Sequence, residues 1–119
     1  MGTHKDLEVW QKSLDLVDMI YDIAFPKEET YGLSSQMRRS AVSIPSNIAE
    51  GCGRNNTKEL IHFLGIARGS LAEVETQTVI ACRRKYISEN QSQMLATLIE
   101  SIGKMLFRLQ ESLKSKNAT

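Results

Sequence analysis

The side chains best suited to chemistry are Glu59 and His62, two cysteines, several serines and a set of arginines and lysines. Glu59-Leu60-Ile61-His62 has the Glu-x-x-His spacing found in carboxylate-bridged di-metal sites of helical bundles. Such a site needs a second copy of the motif and two further inward carboxylates. The other histidine is His4, near the N-terminus, and no second motif exists. A metal site is therefore not expected, and His62 reads as a surface or interface residue. Gly51-Cys52-Gly53-Arg54 has the look of a phosphate loop, but it follows a helical pattern, and a helix C-terminus repels anions. It reads as a helix end, with Gly51 and Gly53 supplying the left-handed residue that stops helices. The serines around Pro45 have no histidine or lysine placed as a base. Cys52 and Cys82 are well separated on apolar helix faces and read as reduced core residues. No catalytic residue, cofactor or small-molecule substrate is expected; the chain does not read as an enzyme.

Charge carries more information. The net charge over 119 residues is only +1. Residues 1–29 hold three basic side chains against seven acidic ones, whereas residues 30–87 hold eight against four. Those eight are Arg38, Arg39, Arg54, Lys58, Arg68, Arg83, Arg84 and Lys85, the candidate contacts to nucleic-acid phosphates. No aromatic residues are interleaved with them for stacking on bases. Arg83-Arg84-Lys85 falls at an expected helix C-terminus, where the dipole alone favours cations. On one copy, solvated charge is the simpler reading. A ring of copies would repeat each patch around its axis and sum the fields.

The elements that must position these residues are all helices. Few aromatics and two prolines argue against an all-β domain. The first helix is expected from about Asp6, as N-cap, to about Phe25, where Pro26 stops it. Leu7, Trp10, Leu14, Val17, Tyr21 and Ala24 form a three-four seam, with Val9, Leu16, Ile20 and Ile23 as a second stripe. Such breadth fits either a deep central helix or one that faces both its own core and a neighbouring subunit. The second helix spans about 33–52, with Leu33, Met37, Ala41, Ile44, Ile48 and Cys52 inward and Arg39, Ser43, Ser46 and Glu50 outward. Pro45 lies inside it. Because the apolar stripe holds phase across Pro45, a kinked continuous helix is favoured over a restart there. Glu50 and Arg54 are spaced to pair. The third helix spans about 57–86, opened by an Asn56/Glu59 capping box, with its core stripe on Leu64, Ala67, Leu71 and Val74. Gly65, Gly69 and Ala72 would let another helix approach. The fourth spans about 89–114, opened by a Ser88/Gln91 box, with Met94 on its apolar arc, Phe107 off it and a fraying tail from Ser115 to Thr119. Four such helices with short connections give one domain, an up-down-up-down antiparallel four-helix bundle. No stretch is apolar enough to cross a membrane and no signal-type run opens the chain, so a cytoplasmic location is expected.

The string from Gln36 to Gly51, QMRRSAVSIPSNIAEG, is the most distinctive in the chain. It closely resembles the signature of the small four-helix-bundle proteins encoded in intervening sequences of bacterial 23S ribosomal RNA genes, also labelled S23 ribosomal proteins. The stretch from Glu59 to Glu73 is similar to that family's next block, and Asp6-Leu7-Glu8-Val9-Trp10-Gln11-Lys12-Ser13 to its opening. The resemblance implies a homopentameric ring without established catalytic activity. It also implies kinship with accessory proteins of diversity-generating retroelements, bundles that bind nucleic acid and a reverse transcriptase. Arg38, Arg39, Pro45, Asn47, Glu50 and Gly51 match signature positions. The expected function is binding of RNA or a ribonucleoprotein partner through the basic middle segment. The alternative is a protein-interaction scaffold with no nucleic-acid role.

Overall fold

The computed structural model describes residues 2–118, with side chains to Lys116; Met1 and Thr119 lie outside the described residues. Four helices carry the fold: α1 (Glu8–Tyr21), α2 (Leu33–Cys52), α3 (Thr57–Arg83) and α4 (Glu89–Ala118). Single 3-10 turns at His4–Asp6 and Lys27–Glu29 precede α1 and α2. Each helix packs on its two neighbours in the order α1, α2, α3, α4 and back to α1, leaving diagonal pairs apart. The result is an up-down-up-down bundle 50 × 23 × 21 Å in extent.

The helix starts follow local chemistry. The Asn56 side chain accepts the Glu59 N–H at 2.8 Å. At α4 the box is reciprocal: Gln91 N–H donates to Ser88 Oγ at 3.0 Å, and Ser88 N–H to Gln91 Oε1 at 2.8 Å. Asp6 does not cap α1. Its carboxylate accepts the Thr3 N–H at 3.0 Å and closes the preceding 3-10 turn, and Leu7 takes the N-cap position without a side-chain bond. At α2, Glu29 reaches across four residues to accept the Leu33 N–H at 3.0 Å.

Helix ends differ more from expectation. α1 stops at Tyr21 rather than Phe25. Proline disfavours helical geometry in the residue before it, and Ile23 and Phe25 are used instead for packing: Ile23 is buried, and the Phe25 ring meets Tyr86 edge-on at 6.1 Å. α3 stops at Arg83, three residues early, in a Schellman motif: Tyr86 N–H donates to Ala81 O and Lys85 N–H to Cys82 O. Lys85 (φ 64°), not a glycine, supplies the left-handed residue. No glycine has positive φ, so neither Gly51 nor Gly53 plays that part. Gly51 is needed for another reason: a Cβ there would lie 2.9 Å from Phe63 Cβ and 3.0 Å from Leu60 Cδ1. It lets the end of α2 press on the start of α3. α4 continues past Lys114 to Ala118, with no glycine or proline in its last turns to stop it.

Within α2 the chain stays helical through Pro45, so no new helix starts there. The expected kink is not shown. Ser46 Oγ donates to Val42 O and Asn47 Nδ2 to Ser43 O, each at 2.8 Å, adding side-chain bonds to the two carbonyls that follow Ala41, whose own i+4 donor Pro45 lacks.

The core is built from Leu16, Ile20, Met37, Ile44, Ile48, Leu64, Val74, Ile102 and Leu106, all fully buried. In α1 the inward face is the Val9-Leu16-Ile20 stripe with Ser13 at its centre. Ser13 Oγ donates to Trp10 O at 2.6 Å, so a polar residue sits there fully buried. Of the Leu7-Trp10-Leu14-Val17-Tyr21 seam, Leu14 is 37% exposed and Tyr21 47%, while Leu7, Trp10 and Val17 are half-buried against the edge of the core. Ser43 also departs from its outward assignment, since its hydroxyl pairs with Ser70 of α3 at 2.8 Å. Met94 likewise faces outward, 56% exposed.

Candidate nucleic-acid interface

Because α2 and α3 run antiparallel, the start of one lies beside the end of the other. Ser40 Oγ accepts from Gln77 Nε2 at 3.3 Å, which fixes that register. Arg38 and Arg39 are therefore brought to the same end of the bundle as Arg83, Arg84 and Lys85. Arg54 and Lys58 go to the opposite end; Lys58 and Arg83 are separated by roughly 38 Å along α3 at 1.5 Å per residue. Arg68 sits between. The eight candidates thus form two end groups and a middle residue, not one patch on a single copy.

Their environments divide them further. Arg68 Nη1 donates to Gln110 Oε1 at 2.9 Å, and its guanidinium lies 5.3 Å from the Phe107 ring. Gln110 is buried and donates in turn to Ile61 O at 3.1 Å. Arg68 is a clasp between α3 and α4, and Phe107 is its platform. Arg54 pairs with Glu50 at 3.0 Å as expected from their spacing, and lies 5.0 Å from the Phe63 ring. Arg38 lies 4.5 Å over the Tyr21 ring and donates from Nη2 to Tyr21 O at 3.4 Å, a cation at the C-terminus of α1. Its Nε is buried without a protein partner. Arg39, Lys58, Arg83, Arg84 and Lys85 are exposed and outside the ion pairs among the described residues.

The Arg38/Arg39 end has a feature that spacing along the chain did not reveal. An open groove between the end of α1 and the start of α2 is lined by Tyr21, Thr30, Tyr31, Ser35, Arg38 and Arg39. Aromatic rings do flank the arginines, but they come from α1 and from the connection, so no interleaving is visible in the string itself. Tyr31 is 96% exposed. Its position in a short connection bounded by Pro26 and Gly32 was the available signal.

Below the groove, Glu29 braces the connection. Its carboxylate accepts the Leu33 N–H and, at 2.8 Å, the Tyr86 hydroxyl. Those two bonds hold its carboxyl below the ordinary value of 4.5 against the opposing effect of desolvation, with a lesser contribution from the Arg84 charge.

The other chemically suggestive residues stay apart. His62 is exposed and meets the Phe63 ring edge-on at 5.5 Å. No group of three or more metal-ligating side chains occurs among the described residues. Cys52 and Cys82 are free, and burial pushes the Cys52 thiol up. No described helix is long and apolar enough to cross a membrane.

Nothing matches among curated proteins. A solved structure from Bacteroides thetaiotaomicron, of a protein with unknown function from the S23 ribosomal protein family, superposes with a TM-score of 0.79. It is 26% identical over 87% of this chain and 95% of its own. Neither that description nor the family's names a catalytic activity. With the family model of the 23S rRNA-intervening sequence proteins matching residues 5–108, the bundle and its signature string have a common source: the chain belongs to that family.

Proposed function

We propose that this chain is a non-enzymatic, cytoplasmic bundle that assembles with copies of itself and binds RNA, or an RNA–protein partner, through basic residues of its middle segment. One observation carries the reading: the antiparallel α2/α3 pair gathers Arg38, Arg39, Arg83, Arg84 and Lys85 at one end, and the last four are exposed. The family's ribosomal-RNA gene context agrees with it. Assembly is supported by the outward α1 seam, where Trp10, Leu14 and Val17 line an apolar groove with Val42, Pro45 and Ala49 of α2. A ring of five is what the resemblance implies, and it would bring five such basic ends together. The same apolar groove favours the second reading, a scaffold that binds only protein.

Binding of structured RNA at two salt concentrations separates the two. Phosphate contacts release counterions, so affinity for duplex RNA must fall steeply as salt rises. Absence of binding at low salt would leave the scaffold reading in place.

A further inference from the structure

The groove at the start of α2 has the chemistry of a site for unpaired nucleotides. Tyr31 is 96% exposed, yet the loop that carries it is braced. Glu29 ties that loop to Leu33 and to Tyr86, Thr30 Oγ1 donates to Lys27 O at 2.8 Å, and Gly32 N–H donates to Glu29 O at 3.0 Å. An aromatic face is thus held out on a short, tied-down connection without a protein ring to stack on, so little ordering entropy remains to be lost on binding. Tyr21, across the groove, has the Arg38 guanidinium over its ring and is still 47% exposed. Arg38 is half-buried, with its Nε shielded and without an acceptor, and Arg39 is exposed beside it. Rings for bases beside cations for phosphates is the arrangement that holds single strands. A duplex keeps its base faces stacked and cannot offer them to such a groove. Asp22 and Glu28, both exposed nearby, limit how many phosphates this end can hold. Stacking must then contribute a large share of the affinity.

We infer that this groove binds an unpaired stretch of RNA, with a base stacked on Tyr31 and the adjoining phosphates on Arg38 and Arg39. The inference rests on the RNA-binding reading above and adds which form of RNA is taken and where.

The test is fluorescence anisotropy of the full chain with labelled oligouridine and, separately, with an RNA duplex. Tyr31→Ala weakens oligouridine binding by roughly 5- to 150-fold, the range for loss of one base–aromatic stack, and Tyr31→Trp retains it. Duplex binding is unchanged by Tyr31→Ala. Because Tyr31 is almost wholly exposed, thermal unfolding of Tyr31→Ala should match the parent and exclude a folding defect. If Arg39→Glu weakens oligouridine binding and Tyr31→Ala does not, the stacking site is refuted and RNA binding stands. If neither RNA binds at low salt, both fail together.

Discussion

At the scale of single residues, two residues at the ends of α2 have roles that their types alone do not reveal. Glu29 lies outside α2 yet satisfies its first N–H and holds the Tyr86 hydroxyl from beyond α3. Its carboxyl is held low in the folded chain, so its contribution to stability is present above the ordinary value of 4.5. That contribution is lost as pH falls through the lower folded value. Glu29→Gln should therefore unfold more easily than the parent at neutral pH, with the gap closing below pH 4.5. Urea titrations at several pH values check this; a gap that does not change with pH would contradict it. Gly51 stands at the other end, where no room exists for a methyl group beside Phe63. Gly51→Ala gains roughly 1 kcal/mol of helix propensity but overpacks the contact by about 1–3 kcal/mol. The expected net loss is about 1 kcal/mol, read from the urea midpoint at unchanged slope.

At the scale of elements, the legible and illegible parts have separate physical causes. The starts of α3 and α4 were readable because their caps are local chemistry, whereas α2 ends at Cys52 without the left-handed glycine expected to stop it. The early stop of α3 was not readable, because its left-handed residue is a lysine rather than the usual glycine. That gives a prediction: Lys85→Gly removes the strain of an L side chain at φ 64°. It should raise stability by up to about 1 kcal/mol, since the left-handed penalty of roughly 1–2 kcal/mol is partly offset by glycine's greater unfolded entropy. Thermal denaturation is the readout, and a lowered midpoint would contradict it. The inward face of α1 was not decidable from the wheel, because two adjacent stripes were equally apolar. Ser13 settles it: its hydroxyl bonds back to Trp10 O, which lets a polar residue occupy the centre of the buried stripe. The other stripe then falls at the edge of the core, where Trp10, Leu14 and Val17 line the outer groove. At the candidate interface, the arginines were visible as a doublet. Tyr21 and Tyr31 were not visible as their neighbours, because that adjacency exists only after α1 and the connection fold against α2.

At the scale of the whole molecule, a barely basic chain is organised so that charge and apolar surface fall in separate places. Apart from Arg68, the candidate basic groups lie toward the ends of α2 and α3, and the partly exposed seam runs along α1. A copy that buries this seam would leave the basic end free. Light scattering at micromolar concentration should accordingly return a mass above that of one 13.4 kDa chain. Leu14→Glu, placed where the side chain is 37% exposed, should shift it toward the monomer without unfolding the bundle. A monomer mass for the parent chain would remove the assembly. We propose that the end formed by Arg38, Arg39, Arg83, Arg84 and Lys85 contacts RNA. The direct measurement compares RNA affinity across a salt series for the parent, for the pair Arg39→Glu with Arg84→Glu, and for the opposite-end pair Arg54→Glu with Lys58→Glu. Affinity should fall with salt, the first pair should weaken binding strongly and flatten the salt slope, and the second pair should change it little. Equal losses from both pairs, or no binding by the parent at low salt, would contradict it.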